Sequence, residues 1–201
     1  LCWILFFQET LMSNQIFIFL LNTVIGFFSL ALLLRFYFQF FRLPYRHPIS
    51  QFLVAVTGFM VRPVRRFAPG WGGVDLSSLL LAWLLECAIL FGTFMLRGYD
   101  FSVNMEASLP GVLLLGTVEI VKMSLYIVLV SVILQAILSW VNPHTPLAPL
   151  LDGLTRPFLN IFRNRIPLVA NVDLSPLFVL LVIQVLLMII MEVHREIATM
   201  L

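Results

Sequence analysis

Few residues of this chain could do chemistry, and their placing limits what that chemistry could be. Glu86 and Gln184 each stand in the middle of a long run of Leu, Val and Ile. A carboxylate there could hold an ion or pass a proton. A protonated Glu could equally donate an interhelical hydrogen bond, a role that Gln can share although it cannot titrate. The two positions correspond in the internal alignment given below, which favours the hydrogen-bond reading. Glu119 and Lys122 are three residues apart and can pair on one helix face. They can also mark the outer rim of a span, and this reading is preferred because Met123 to Trp140 is nearly long enough to cross alone. His47 and His144 flank prolines, His194 stands beside Glu192 and Glu196, and Cys2 and Cys87 are far apart. No zinc spacing, Cys-x-x-Cys-His, Gly-rich phosphate loop or Ser-His-Asp order is present, so no catalytic, metal, haem or other cofactor site is expected.

A second set of residues comes in duplicate. Val74 to Ser78 reads VDLSS and Val172 to Pro176 reads VDLSP, each ahead of an apolar run. Ser175 before Pro176 reads as a helix N-cap, with Pro at the first helical position, and Ser77 can do the same in the first copy. Each Asp, Asp75 or Asp173, then lies near the positive end of a helix dipole. Arg65 and Arg163 precede them by ten residues, with Pro69 or Pro167 between. We expect each Asp to meet an Arg of its own loop helix or of the other copy. The alternative is an Asp facing water as part of the cap and an Arg on lipid phosphate.

The elements that position these residues follow from composition. Of 201 residues 61% are hydrophobic and 11% charged, with a mean hydropathy of +1.05. A soluble domain carries about 25% charged residues. The chain is therefore expected to be an all-α integral membrane protein with four transmembrane helices, at about residues 16–34, 76–96, 114–140 and 174–191. Translation is expected to start at Met12, or at Leu1 through an alternative start codon. Arg35, Arg42, Arg46, Arg62, Arg65 and Arg66 fill the stretch between the first two spans, and Arg156, Arg163 and Arg165 that between the last two. The short middle loop has Arg97 against Asp100 and Glu106. By the positive-inside rule the Arg-rich loops are expected to face the cytoplasm and both termini to lie outside. Phe36, Tyr37, Phe38, Phe40, Phe41, Trp71 and Trp140 mark the boundaries.

Shifted by 98 residues, the halves align without a gap. Pro48 meets Pro146, Thr57 meets Thr155, Arg65 meets Arg163, Asp75 meets Asp173 and Glu86 meets Gln184. The unit is span, loop, span, giving two parallel two-helix repeats over residues 14–96 and 112–194. Each loop holds an expected amphipathic interfacial helix. In Ser50 to Phe67, Phe52, Val56, Phe59, Met60, Val64 and Phe67 oppose Gly58, Arg62, Arg65 and Arg66. In Pro149 to Ile166, Leu150, Leu151, Leu154, Phe158, Ile161 and Phe162 oppose Asp152, Arg156, Asn160 and Arg163. Pro63 and Pro157 are expected to bend or interrupt these helices.

At these residues the sequence resembles the YggT family (also called YlmG) of bacterial and plastid membrane proteins. The family hallmark resembles Arg-Pro-Ile-Arg-Arg, a Pro, Gly-Gly and Asp-Leu-Ser-Pro. The first copy, RPVRRFAPGWGGVDLSS, carries Arg62, Pro63, Arg65, Arg66, Pro69, Gly72, Gly73, Asp75 and Ser77, and departs at Ser78. The second carries Arg163, Pro167, Asp173, Ser175 and Pro176, with Ala170-Asn171 for the glycines and Asn160-Ile161 for Arg-Pro. The resemblance implies a place in a bacterial inner (plasma) membrane and envelope biology: osmotic stress tolerance, cell division and nucleoid distribution, and a step of cytochrome maturation in plastids. It implies no catalytic residues. The expected function is a non-enzymatic membrane factor that assembles or scaffolds other envelope proteins. The alternative is a small ion channel or transporter subunit using Glu86 and Gln184. Expected partners are anionic lipid headgroups and other membrane proteins, with a homo-oligomer open. Nucleic acid is not expected, because membrane topology already accounts for Arg62, Arg65 and Arg66.

Overall fold

A computed structural model describes residues 2–44, 47–66, 75–99, 105–142, 145–165 and 173–200. Among them every element is helical: α1 (Cys2–Phe40), α2 (Pro48–Val64), α3 (Leu76–Leu96), α4 (Met105–Val141), α5 (Ala148–Arg163) and α6 (Ser175–Met200). Four stretches are long and apolar enough to cross a membrane: Asn14–Phe40, Leu76–Leu96, Leu109–Ser139 and Ser175–Thr199. The second matches its expected bounds, while the others run on. Phe36 to Phe40 continue α1, and Glu192, His194, Arg195 and Glu196 continue α6. A polar residue need not end a helix whose backbone hydrogen bonds already close on themselves, and Arg195 pairs with Glu192 one turn back.

Two helices end on the same C-cap geometry. Arg42 adopts a left-handed φ of 53°, its N–H donating to the Gln39 carbonyl and that of Leu43 to the Phe38 carbonyl. Leu43 and Phe38 also share an apolar cluster. Gly98, at φ 82°, ends α3 alike, with Tyr99 donating to Phe94. This is the Schellman arrangement, which satisfies the last carbonyls of a helix. Arg at the first of these positions carries the steric cost that Gly avoids at the second.

The long helices pack α1 on α3, α3 on α4 and α4 on α6. Leu32, Leu33, Val61, Ala82 and Ile127 form the core of the first half and its seam with the second, and Val132, Leu159, Val179, Ile183 and Leu187 that of the second half. Gly116 permits the central contact. A Cβ there would lie 2.5 Å from Cys87 Sγ and 3.5 Å from Trp83 Nε1, so a small residue is what lets α4 approach α3.

The short helices fold back beside the spans that precede them, α2 on α1 and α5 on α4. The face that α2 buries differs from the expected one. Ser50, Leu53, Thr57 and Val61 are buried, whereas Phe52 and Phe59 are exposed. An apolar outer face and a part-polar inner face suit a helix with lipid outside and a polar anchor inside. The expected apolar face of α5 is buried at Leu150, Leu151 and Leu154, joined by Thr155 and Leu159, with Arg156 exposed. Pro157 does not interrupt α5, which runs on to Arg163, and Pro63 falls one residue before the end of α2. Proline removes one hydrogen bond of the ladder, a loss that tertiary packing offsets in α5.

Candidate functional site

The duplicated Arg and Asp meet. In the first half Arg65 reaches Asp75 Oδ2 with Nη2 at 2.6 Å and Nε at 3.2 Å. A residue not singled out for this role completes the group. Arg35, near the end of α1, points Nη2 at the same oxygen from 3.4 Å and donates from Nη1 to Thr57 Oγ1 at 2.9 Å. Thr57 passes its own proton to the Leu53 carbonyl at 2.6 Å. Gln39 Oε1 accepts the Asp75 backbone N–H at 3.0 Å. One carboxylate thus ties α1, α2 and α3 together. The side chains of Asp75 and Arg35 are 2% and 6% exposed, that of Arg65 49%.

The second half repeats the plan with weaker charges. Arg163 Nε lies 2.8 Å from Asp173 Oδ2, but these side chains are 39% and 31% exposed. Thr155, the equivalent of Thr57, is fully buried and back-bonded to Leu151 at 2.7 Å. Its partner from the preceding span is a neutral amide, Gln135, whose Nε2 also faces Asp152 Oδ1 at 3.4 Å. Where the first half uses Arg35 the second uses Gln135, at positions 35 and 135 that the 98-residue shift offsets by two. The shared signal was Thr57 over Thr155; a span-end Arg reads at first sight as topology alone.

The caps differ from expectation. α3 starts at Leu76, with Asp75 in the cap position and Ser77 buried within the first turn. α6 starts at Ser175, whose N–H donates to Asp173 Oδ1 at 2.9 Å. The Asp residues therefore stand at the helix starts, where the dipole favours a negative charge. Burial pushes the Asp75 carboxyl up, but the hydrogen bond from Arg65 and the charges of Arg65 and Arg35 outweigh it, and the group lies below its ordinary 3.8. Asp173 is likewise raised by burial and held below 3.8 by Ser175 and Arg163. Arg62 and Arg66 are exposed at the end of α2. Pro69, Gly72, Gly73 and Pro167 lie outside the described residues, as do Arg46, Trp71 and His144.

His47 joins the halves at the same end. Its Nδ1 accepts from Ile49 N–H at 3.3 Å, capping α2, and its Nε2 stands 3.1 Å from the Pro146 carbonyl. One tautomer serves both contacts, with the proton on Nε2.

The other polar residues gather elsewhere. Glu86 is buried beside the Ser29 hydroxyl. Gln184 is exposed, so the aligned pair does not share one environment. Helix order explains this: α3 has neighbours on both sides and α6 lies at the end of the row. Lys122 Nζ is 2.5 Å from Glu119 Oε1, and His194 Nε2 is 3.0 Å from the same oxygen. Gly116 and Thr117 of the same helix lie against Cys87 and Trp83 of α3, and His194, the other partner of Glu119, stands beyond the expected end of the fourth span at 191. Among the described residues no group of three or more His, Cys, Asp or Glu could hold a metal ion.

Fold and polar clusters together define a multi-pass helical membrane protein whose loop helices are fastened by Arg–Asp pairs. The CCB3/YggT family model matches residues 14–96 and again 114–193, and the chain belongs to that family. It is 33% identical over 181 residues to an uncharacterized protein of Pseudomonas aeruginosa, covering 89% of this chain and 90% of the relative. It is 30% identical over 187 residues to the uncharacterized protein YggT of Escherichia coli, covering 91% and 93%. A Vibrio alginolyticus protein is 30% identical over 167 residues, covering 83% and 88%. No solved structure matches the chain.

Two expectations follow. In detergent, Asp75→Ala should lower stability by about 3–5 kcal/mol, because it leaves Arg35 buried without its carboxylate. Asp173→Ala, in a half-exposed pair, should cost about 1 kcal/mol or less. In thermal unfolding, Arg65→Ala with Asp75→Ala, and Arg163→Ala with Asp173→Ala, should each lose less together than the sum of the single losses; strict additivity would mean that the pairs contribute nothing as pairs. Acid supplies the other test. A depressed carboxyl contributes its stability above the unfolded value, so both pairs should hold unchanged down to about pH 4. Their contribution should then disappear as pH falls through the lower folded values. An equal loss between pH 7 and 5 in the wild type, absent from Asp75→Asn, would contradict this.

Proposed function

We propose that this protein is a non-enzymatic membrane assembly factor of the bacterial envelope. The observation that carries the reading is how the polar residues are used. Asp75, Arg35, Thr57, Arg65 and Gln39 turn inward onto one another and hold α2 against the spans, while large apolar surfaces of α1, α2 and α6 are left outward. Groups that satisfy each other fasten a shape, and an apolar exterior at membrane depth offers that shape to lipid and to other membrane proteins. The resemblance stated for the family sets this role in osmotic stress tolerance or cell division.

The channel or transporter reading has less support. Buried Glu86 and exposed Gln184 do not line one path. Glu86→Gln should accordingly leave the protein level, thermal stability and osmotic-stress survival of a complemented deletion strain close to wild type. An ion flux in reconstituted vesicles that this variant abolishes would replace assembly with transport.

The orientation belongs to the same reading: both termini outside, Arg-rich loops in the cytoplasm, Arg side chains toward anionic headgroups. With the native cysteines removed, Asn104→Cys should react with an impermeant thiol reagent applied from outside and Arg46→Cys should not. The reverse pattern would invert the protein.

A further inference from the structure

Gln184 is polar where its surroundings are not. It sits at mid-length of α6 on the outward side, exposed and without a hydrogen-bond partner among the described residues. An amide facing hydrocarbon loses its hydrogen bonds to water and gains none from lipid tails. Gln184 is also not isolated. Leu177, Leu181, Gln184, Met188, Met191 and Arg195 follow one another at spacings of four and three along α6. Leu177, Leu181 and Met191 are 57% exposed and Met188 68%, while beside the line Val182 is 41%, Leu186 42%, Val185 48% and Ile189 54% exposed. Alternating steps of four and three describe the seam of a helix that packs lengthwise on another helix, with one polar residue fixing the register. At 1.5 Å per residue the seam is about 27 Å long, close to the ~30 Å hydrocarbon thickness. The equivalent residue in the first half, Glu86, is buried between helices. Among the described residues the second half supplies no such cover.

We propose that a second copy of this chain supplies it. The two α6 seams pack about a two-fold axis along the membrane normal, and the Gln184 amides of the two copies hydrogen-bond reciprocally. A Gln amide carries both a donor and an acceptor, so it complements itself, and a two-fold contact sets a residue against its own counterpart. Both copies insert the same way, so the paired α6 helices are parallel, as this symmetry requires. At the far end of the seam Glu192 and Arg195, paired within one helix and both mostly exposed, can pair between copies as well. Lipid could cover the leucines and methionines but would leave the amide unsatisfied. The inference needs only that α6 lies in the bilayer, and it is independent of the assembly role.

The test uses the full chain in native membranes, with Cys2 and Cys87 replaced by Ser and Ala. Single cysteines at Leu181→Cys, Gln184→Cys and Met188→Cys should give oxidatively cross-linked dimers, and Val182→Cys and Leu186→Cys should give few. In lipid vesicles, energy transfer between labelled copies should show Gln184→Leu weakening dimerisation about three- to tenfold, the range for one interhelical side-chain hydrogen bond in a membrane. Gln184→Asn should recover part of the loss. These residues are exposed, so the thermal stability of the variant monomers should stay at the wild-type value. Equal cross-linking on and off the seam, unchanged dimerisation in Gln184→Leu, or cross-linking of Gln184→Cys to Asn22→Cys, at an exposed polar residue of α1, in a head-to-tail contact would each overturn the proposal.

Discussion

The loop end of the first half depends on one buried carboxylate. Asp75 stands at the start of α3 with almost no access to solvent, and two arginines from two other helices converge on it. A buried ion is tolerable only when its field and its hydrogen bonds are answered nearby. Arg35 answers from the preceding span and Arg65 from the loop helix. Gln39 takes the backbone N–H and Thr57 takes the second arm of Arg35. No member can move far without leaving another unsatisfied. α2 is therefore held against α1 and α3 by geometry as well as by its apolar contacts.

Such a cluster is a poor means of gaining net stability, because much of its Coulomb energy offsets desolvation. Its use lies in position. α2 has an apolar outer face at Phe52 and Phe59 and could slide or rotate in a lipid interface. Leu53 and Val61 alone would allow several neighbouring registers. The contacts of Thr57 with Arg35 and of Arg65 with Asp75 select one. In the second half the neutral Gln135–Thr155 contact serves at the buried point and the charged pair moves to the surface. The two halves share a plan and differ in how tightly charge enforces it.

The plan was legible in the sequence to the extent that it is written in patterns. Four apolar runs gave the four long helices, since in lipid a helix is the only single-segment answer to backbone hydrogen bonding. The ten-residue separation of Arg and Asp, written twice, marked both pairs. What could not be read was anything set by three-dimensional neighbours. Arg35 follows an apolar run and looks like a topology signal until Thr57 and Asp75 are seen beside it. Ser77 and Ser175 look like caps because sequence reveals cap chemistry but not where the first helical turn begins.

Internal alignment also misleads where it is pressed beyond the repeat. Glu86 and Gln184 correspond by position, and correspondence suggested a common role. Yet two duplicated units need not meet the same neighbours. α3 lies between α1 and α4 and can bury its Glu, whereas α6, among the described residues, packs on α4 and α5. The same position is therefore core in the first half and surface in the second. In the buried place the Glu has the Ser29 hydroxyl beside it. A permanently neutral amide suits the exposed one, because it asks the membrane, or whatever lies there, for hydrogen bonds but not for a counter-charge. The halves thus diverge where their surroundings differ, at position 184, and agree where these coincide, at Thr57 and Thr155. The repeat explains the fastening of the loop helices, and the order in which the described helices pack explains the open face of α6.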